Sequence, residues 1–211
     1  MARVSLLLWD VGGVLLSNGW DRAARTAAVQ HFGLDAVEFE RRHAEVEADF
    51  ERGRIDCEGY LGATVFYVAR PFTRESFRQF MLARSSGNPA ALAVARAVRR
   101  EGAYVMAALN NESRELNDYR IRTFRLQEVF HAFFSSCYTG YRKPEPAAYR
   151  YALTITGRTP DESLFLDDRP ENLAAAAGLG IGTVQVKDPS RVGEDLTLAG
   201  VAWGKGGTRW N

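Results

Sequence analysis

Charged and amide side chains follow apolar runs at four points of this chain, and their types suit a site for a cation and an anion. Three carboxylates, two amides and two cations make up the set. These are Asp10, Asn110, Asn111, Arg142, Lys143, Asp167 and Asp168. Clustered carboxylates are costly unless a cation lies among them, and Mg²⁺ is a hard ion that prefers oxygen ligands. Brought together, these groups would hold Mg²⁺ and an anion such as phosphate.

Five short apolar runs predict the strands that must position these groups. The runs are Val4 to Trp9, Tyr104 to Leu109, Ala132 to Ser136, Ser163 to Leu166 and Thr183 to Val186. Helical patterns alternate with them, at Ser113 to Leu126, Glu145 to Thr156 and Pro170 to Gly178. This alternation predicts the α/β class, with a Rossmann-like parallel sheet flanked by helices. Ligands bind beyond the carboxyl ends of such strands, where the chemistry-bearing residues lie.

The segment 17–86 separates the first strand from the rest of this core. It contains no good strand pattern but has helical stretches at Asp21 to Phe32, Ala36 to Glu51, Asp56 to Val68 and Thr73 to Leu82. Because a βα loop usually has about 2–6 residues, the segment predicts an inserted helical-bundle cap over the carboxyl ends of the strands. The core domain then comprises residues 1–16 and 87–200, and residues 201–211 form a glycine-rich tail.

Composition limits the class of partner. The chain has 211 residues and a formal net charge of +1, from 27 Lys and Arg against 26 Asp and Glu. Such a balance argues against nucleic-acid or polybasic membrane binding, and no run approaches the ~20 apolar residues that span a bilayer. We expect a cytoplasmic protein with reduced, structural Cys57 and Cys137, and the sequence leaves its oligomeric state open.

Four ordered motifs resemble those of the haloacid dehalogenase-like hydrolase superfamily, subfamily I, whose helical cap is inserted after the first motif. They are Trp9-Asp10-Val11-Gly12-Gly13-Val14-Leu15, Leu109-Asn110-Asn111, Arg142-Lys143-Pro144-Glu145-Pro146 and Leu166-Asp167-Asp168-Arg169-Pro170-Glu171-Asn172. The resemblance reaches to about Lys187, and the segment Phe50 to Ile55 is similar to the sugar-phosphate phosphatase branch.

The resemblance implies Mg²⁺-dependent hydrolysis of a small phosphomonoester, with sugar phosphates as one candidate class. Asp10 would be the nucleophile that forms an aspartyl-phosphate, and Lys143 would offset charge on the phosphoryl group. The substrate-binding residues would be Lys143, Arg142 and the amides of Asn110 and Asn111. The metal ligands would be Asp10, the main-chain carbonyl of Gly12, and the pair Asp167 and Asp168, with Asp168 favoured slightly as the direct ligand.

Two positions depart from the family pattern. Gly12 stands where most phosphatases of the family carry a second aspartate as general acid and base, a role typically worth ~10²–10⁴-fold in rate. Asn110 stands where Ser or Thr is usual. These departures leave open a catalytically weak relative that binds a phosphorylated metabolite or a protein. A second alternative is a 2-haloacid dehalogenase, which needs no Mg²⁺, so the pair Asp167 and Asp168 argues against it.

Other residues receive weaker interpretations. Asn18, Trp20 and the Arg52-Gly53-Arg54 turn are candidates for substrate contact. His31, His43 and His131 show no ligand spacing, so they receive no site assignment. Gly12-Gly13 lacks the third glycine of a dinucleotide-binding loop.

Overall fold

Five parallel strands form one sheet in the computed structural model, which describes residues 3–203. The strands are β1 (Leu6–Trp9), β2 (Val105–Ala108), β3 (Ala132–Phe133), β4 (Ser163–Asp167) and β5 (Gly182–Gln185). Their spatial order is β3-β2-β1-β4-β5, and every neighbouring pair is parallel. The predicted α/β class is confirmed.

β1 lies at the centre of the sheet because its side chains are apolar on both faces. Leu6, Leu7, Leu8 and Trp9 are all fully buried. Successive strand side chains point to opposite faces, so Leu7 and Trp9 join one core layer while Leu6 and Leu8 join the other. The first layer includes residues of α5 (Pro89–Glu101) and α10 (Val192–Leu198), and the second includes residues of α8 (Pro146–Thr156) and α9 (Pro170–Ala177).

Strand register fixes where the predicted site residues emerge. Trp9 is level with Ala108 of β2 and with Leu166 of β4. The Asp10 N–H also donates to the Leu166 carbonyl at 2.8 Å. Asp10 and Asp167 therefore leave two neighbouring strands at the same edge of the sheet.

Four helices lie between β1 and α5, as the helical patterns predicted, and we call them the inserted bundle. They are α1 (Arg22–Phe32), α2 (Ala36–Glu51), α3 (Cys57–Thr64) and α4 (Arg74–Leu82). Each begins after a residue whose side chain accepts a main-chain N–H of the first turn, which is N-capping. Those residues are Asp21, Asp35, Asp56 and Thr73. The bundle has its own core, which includes Trp20, Phe39, Tyr60 and Phe77.

Two linkers join the inserted bundle to the sheet, and they pair with each other. The Ser17 N–H donates to the Ser86 carbonyl at 2.8 Å, and the Ser86 N–H donates to Ser17 Oγ at 2.9 Å. Arg120 of α6 (Arg114–Thr123) contacts both linkers, through the Ser17 carbonyl and through Ser85 Oγ at 3.2 Å. Its guanidinium also pairs with buried Glu112 at 2.9 Å.

Several predicted element bounds were wrong. β3 ends at Phe133, and α7 (Ser136–Thr139) replaces the end of the predicted strand. The Ser135 carbonyl accepts the N–H groups of Tyr138 and Thr139, which turns the chain into this helix. α3 stops at Thr64, and α6 stops at Thr123, just before Arg125 takes a left-handed conformation with φ 54°.

α10 was not predicted, although Val192 and Leu196 are four residues apart and fully buried. Gly193 allows this helix to pack under Trp203, since a Cβ there would lie 2.3 Å from the Trp203 ring. Trp203 is therefore docked, and the rest of the tail, including Trp210, lies outside the described residues.

Cys57 and Cys137 are free and buried, as expected for reduced structural cysteines. Burial raises the pKa of each thiol to about 12. Among residues 3–203, no helix has both the length and the apolar character needed to cross a membrane. The cytoplasmic location stays a prediction.

Candidate active site

A cavity of about 400 Å³ lies between the carboxyl edge of the sheet and the inserted bundle. Most of the predicted site residues line it. From the sheet side these are Asp10, Gly12, Asn111, Arg142, Lys143 and Asp168. Asn110 and Asp167 are buried behind this lining. The topology thus gathers residues that are up to 158 positions apart, from Asp10 to Asp168, at one place.

Lys143 is the cation at the centre of the carboxylates. Its Nζ lies 2.9 Å from Asp10 Oδ1 and 2.6 Å from Asp167 Oδ2, and its side chain is only 2% exposed. Burial lowers the pKa of the Lys143 ammonium, but the two carboxylates together raise it above its usual value. Lys143 is therefore charged at neutral pH.

Asn111 holds the backbone of Lys143 in place. Its Oδ1 accepts the Lys143 N–H at 2.8 Å, and its Nδ2 donates to the Lys143 carbonyl at 2.8 Å. Both ends of this side-chain amide are thereby used. The amide thus orients the lysine, and the predicted contact of Asn111 with a phosphate oxygen remains a prediction.

Asp167 and Asp168 are adjacent but have different surroundings. Both oxygens of fully buried Asp167 are bonded, to Lys143 Nζ, the Arg169 N–H and Asn172 Nδ2. Asp168 lines the cavity, and its buried Oδ1 has no hydrogen-bond partner among the described residues. A buried polar atom without a partner is unusual in a folded protein. Asp168 is thus the carboxylate of the pair that is available to a ligand.

The carboxylates form an electrostatically unfavourable cluster in the absence of a cation. Ligand oxygens of Asp10, Asp167 and Asp168 lie within 4.8 Å of one another. Burial raises the pKa of Asp10 to about 7, with Lys143 opposing and Asp167 reinforcing the shift. Burial, and then Asp167, also raise the pKa of Asp168. A divalent cation would favour the ionised forms of these groups.

The loop after β1 is shaped by two glycines. Gly13 has φ 76°, and a Cβ there would lie 2.3 Å from Asp168 Oδ2, so the backbone approaches this carboxylate more closely than any side chain permits. At Gly12, a Cβ would lie 3.2 Å from Asn18 Oδ1. Within residues 3–203, no donor is bonded to the Gly12 carbonyl. The Gly12 carbonyl, the orphaned Asp168 oxygen and Asp10 form an oxygen donor set that fits Mg²⁺.

Asn110 and Arg142 are engaged by protein groups. Asn110 Oδ1 accepts from Ser135 Oγ at 2.8 Å, and its Nδ2 donates to Asn117 Oδ1 at 3.1 Å. Arg142 lines the cavity with its Nε 2.6 Å from Glu51 Oε2 of α2. Asn110 therefore braces the loops behind the site, and Arg142 links the sheet edge to the inserted bundle.

The turn Arg52-Gly53-Arg54, one of the weaker candidates for substrate contact, is engaged by protein groups. Arg52 Nε donates to the Gly140 carbonyl at 3.2 Å, and Arg54 pairs with Asp49 at 2.9 Å. Gly53 has φ 67° and packs against Cys137, where a Cβ would lie 2.5 Å from the carbonyl oxygen. The turn docks the inserted bundle on the core, and the residues that line the cavity do not include it. Asn18 and Trp20 do line the cavity.

Comparison with known families shows the family to which this chain belongs. The model of the haloacid dehalogenase-like hydrolases matches residues 4–180. The chain belongs to the haloacid dehalogenase-like hydrolase family. This hydrolase is 27% identical over 206 residues to flavin mononucleotide hydrolase 1 of Arabidopsis thaliana, a match that covers 94% of the chain and 79% of that protein. It is 25% identical over 186 residues to a sesquiterpene phosphatase of Aspergillus oryzae, covering 86% and 89%.

The same fold occurs in solved structures. A HAD family enzyme from Bacteroides thetaiotaomicron, solved as a magnesium complex, superposes with a TM-score of 0.75 at 21% identity. The match covers 87% of this chain and 93% of that one. At this identity the likeness concerns the fold.

Sequence reasoning missed the part of the hydrolase cavity that the inserted bundle lines. His43, Glu47 and Glu51 of α2 line the cavity, and His43 is only 5% exposed. A signal was present in the sequence. His43 and Glu47 follow Phe39 at intervals of four residues, which places polar groups on the apolar, inward face of α2.

Proposed function

We propose that this haloacid dehalogenase-like hydrolase cleaves small phosphomonoesters, with Asp10 as the nucleophile. The observation that carries the proposal is the contact of Asp10 with the buried ammonium of Lys143, at 2.9 Å, in a cavity at the carboxyl edge of the sheet. Phosphoryl transfer needs a positioned nucleophile beside fixed positive charge. The names of its relatives, a flavin mononucleotide hydrolase and a sesquiterpene phosphatase, support the same reaction type.

In this proposal, an Asp10 carboxylate oxygen attacks phosphorus, and the bond from phosphorus to the alcohol oxygen breaks as the alcohol takes up a proton. Water then attacks the phosphorus of the aspartyl-phosphate, which releases inorganic phosphate and restores the carboxylate. Lys143 stabilises the negative charge that develops on the phosphoryl oxygens. Its main chain is held by Asn111 and its ammonium by Asp167, so it needs no rearrangement during the reaction.

Mg²⁺ would be held by Asp10, the Gly12 carbonyl and Asp168, while Asp167 orients Lys143. The bound ion would supply positive charge to the phosphoryl group. The unpartnered Asp168 Oδ1 and the close approach of Gly13 support this assignment. The magnesium complex of the Bacteroides enzyme, which has the same fold, also supports it.

The inserted bundle would act as the cap of subfamily I, closing over the substrate and excluding bulk water. Arg142 would take part in this closure through Glu51 and contribute to substrate binding beside Lys143. Asn111 would bind a phosphate oxygen through its main-chain N–H, which has no protein acceptor within residues 3–203, while Asn110 would support this loop from behind. The partner in this proposal is a small phosphorylated metabolite of the cytoplasm.

A second candidate function is binding without efficient turnover. Gly12 offers no carboxyl group to protonate the leaving alcohol, and Asn18 Oδ1 borders the space that a side chain at position 12 would enter. A Gly12→Asp variant separates the two candidates. Faster hydrolysis by the variant would show that the missing acid limits the rate. An unchanged rate in an active enzyme would show that it does not.

The test is hydrolysis of a panel of phosphomonoesters, including para-nitrophenyl phosphate and sugar phosphates, with Mg²⁺ and with chelator. The expected result is phosphate release that requires Mg²⁺ and is lost in Asp10→Asn. Full metal-dependent activity in that variant would refute the proposal. Halide release from a 2-haloacid in the presence of chelator would favour the dehalogenase alternative.

A further inference from the structure

Three side chains of the inserted bundle and its entry form a hydrogen-bond chain that ends in the cavity. Trp20 Nε1 donates to the Tyr60 hydroxyl at 2.7 Å, and that hydroxyl lies 2.9 Å from His43 Nδ1. Tyr60 is fully buried. An indole N–H can only donate, so the Tyr60 oxygen is an acceptor toward Trp20.

This chain of bonds determines which nitrogen of His43 carries the proton. The buried Tyr60 hydroxyl hydrogen needs an acceptor, and among the described residues His43 Nδ1 is the one within reach. Nδ1 is therefore unprotonated, and in the neutral ring the proton lies on Nε2. His43 thus presents an N–H donor of fixed orientation.

The Nε2–H of His43 has no hydrogen-bond partner among residues 3–203, although the side chain is buried and lines the cavity. Glu47 Oε1 lies 3.4 Å from Nε2, and contact with His43 lowers the pKa of the Glu47 carboxyl, but the contact is long and lacks hydrogen-bond geometry. A buried donor left unpaired costs about 1–3 kcal/mol, so a ligand oxygen at this position would remove an existing penalty.

The bundle side of the cavity is polar around His43. Arg25 is oriented there by a two-pronged contact with Glu40, at 2.9 and 3.0 Å, and donates to the Trp20 carbonyl at 3.0 Å. Glu47 and Glu51 also line this side. A hydrocarbon leaving group would leave the Nε2–H of His43 without an acceptor, whereas a hydroxyl group would provide one.

We propose that His43 determines substrate specificity by donating its Nε2–H to an oxygen of the leaving alcohol, so that the preferred substrates are polyhydroxylated phosphomonoesters. The inference rests on the proposed phosphatase function of the Asp10 site. His43 belongs to α2 of the inserted bundle, whereas Asp10 and Lys143 belong to the sheet edge. A phosphoryl group bound at the sheet edge therefore directs its alcohol portion toward the bundle. Tyr60 is a positioning residue, because it acts through His43.

The test compares a hydroxylated ester, glucose 6-phosphate, with phenyl phosphate, whose leaving group has no further oxygen. In His43→Leu, kcat/KM for glucose 6-phosphate falls at least about tenfold relative to kcat/KM for phenyl phosphate. His43→Gln retains a donor near the Nε2 position and restores most of the preference. Glu45→Gln, on the exposed face of the same helix, is the matched control and leaves the ratio unchanged.

The outcomes separate this inference from the function on which it rests. A wild-type enzyme that hydrolyses phenyl phosphate but not glucose 6-phosphate overturns the inference alone, as does an equal loss on both esters in His43→Leu. A wild-type protein that hydrolyses no phosphomonoester overturns the proposed function, and the inference with it.

Nitrogen-15 NMR of histidine gives a readout that does not depend on turnover. In Asp10→Asn protein, His43 Nδ1 resonates as the unprotonated nitrogen, and glucose 6-phosphate shifts the Nε2 resonance more than inorganic phosphate does. Tyr60→Phe removes the partner of Nδ1, and both nitrogens then move toward tautomer-averaged positions. Two results overturn the proposal. One is a protonated His43 Nδ1 in protein that retains Tyr60, and the other is an equal shift of the Nε2 resonance with glucose 6-phosphate and with inorganic phosphate.

Discussion

The Gly13→Ala substitution gives the sharpest prediction about the metal site, since it acts on a ligand without removing one. A methyl group at position 13 would lie 2.3 Å from Asp168 Oδ2 and 2.6 Å from Asp168 Cγ. Ordinary van der Waals contact begins at 3.4 Å. The Asp168 carboxylate therefore has to move by about 1 Å, and a displacement of this size at a reacting centre can cost about 10²-fold in rate.

The substitution also strains the backbone, because φ at Gly13 is 76° and a left-handed conformation costs an L-residue about 1–2 kcal/mol. Gly102→Ala isolates this second effect. Gly102 has φ 68°, and a Cβ there would meet no atom within 4 Å. The two variants thus share the backbone strain, and only Gly13→Ala displaces Asp168.

The assay is phosphate release from para-nitrophenyl phosphate as a function of Mg²⁺ concentration, with denaturant unfolding of each variant as the measure of stability. Gly13→Ala is expected to lose about 10²-fold in kcat and to need at least about tenfold more Mg²⁺ for half-maximal rate. Gly102→Ala should lose a similar stability from strain and keep wild-type kinetics. Wild-type Mg²⁺ dependence in Gly13→Ala would refute the placement of Asp168 as a metal ligand.

Two further predictions concern buried ion pairs. Lys143→Met should lower kcat by about 10²–10³-fold and, without Mg²⁺, lower the free energy of unfolding by about 3–5 kcal/mol. Mg²⁺ should raise the free energy of unfolding more in this variant than in wild type, because the ion then replaces the ammonium among the carboxylates. An equal increase in both proteins, measured by denaturant titration, would contradict this. Burial raises the pKa of Glu112 from 4.5 to about 7, and the charge of Arg120 opposes that rise. The free energy of unfolding therefore falls as pH rises from about 4.5 through 7, because Glu112 ionises less readily in the folded protein than in the unfolded chain. Arg120→Met should therefore lose more unfolding free energy, relative to wild type, at pH 8 than at pH 5, and the opposite trend would contradict the pairing.

The strand ends of the sheet were predictable because their signal is local. Leu6 to Trp9 is a continuous apolar run closed by Asp10, and such a run is typical of a strand buried on both faces. Once parallel pairing is assumed, the carboxyl ends of β1 and β4 must meet, so the proximity of Asp10 to the pair Asp167 and Asp168 follows. Predicting the fold class and the family required little beyond these strand ends.

The roles of individual side chains depend on contacts that no local pattern encodes. Asp167 and Asp168 are neighbours in sequence, yet one is fully bonded inside the core and the other faces the cavity with an orphaned oxygen. The amide of Asn111 holds Lys143, 32 residues further along the chain. Such partners come from different loops, so the hydrogen-bond partner of each side chain is known only from the three-dimensional structure.

The bundle side of the cavity was also out of reach of motif reasoning. His43 has an apolar-face position on α2, which by itself is equally compatible with a buried structural histidine. Its orientation depends on Tyr60 of α3 and on Trp20 before α1. Similarly, the arginine turn at 52–54 has the composition of an anion site, but its contacts with Gly140 and Glu145 dock the bundle on the core.

In the proposed reaction, Asp10 carries the phosphoryl group during turnover. The most direct test is acid quenching of the wild-type enzyme during hydrolysis of a phosphomonoester with Mg²⁺, followed by peptide mass spectrometry. The expected result is a phosphoryl group on Asp10 that is labile to hydroxylamine and absent both in Asp10→Asn and in the presence of chelator. Mg²⁺-dependent hydrolysis that persists in Asp10→Asn, or a phosphoryl group found on another residue, would contradict it.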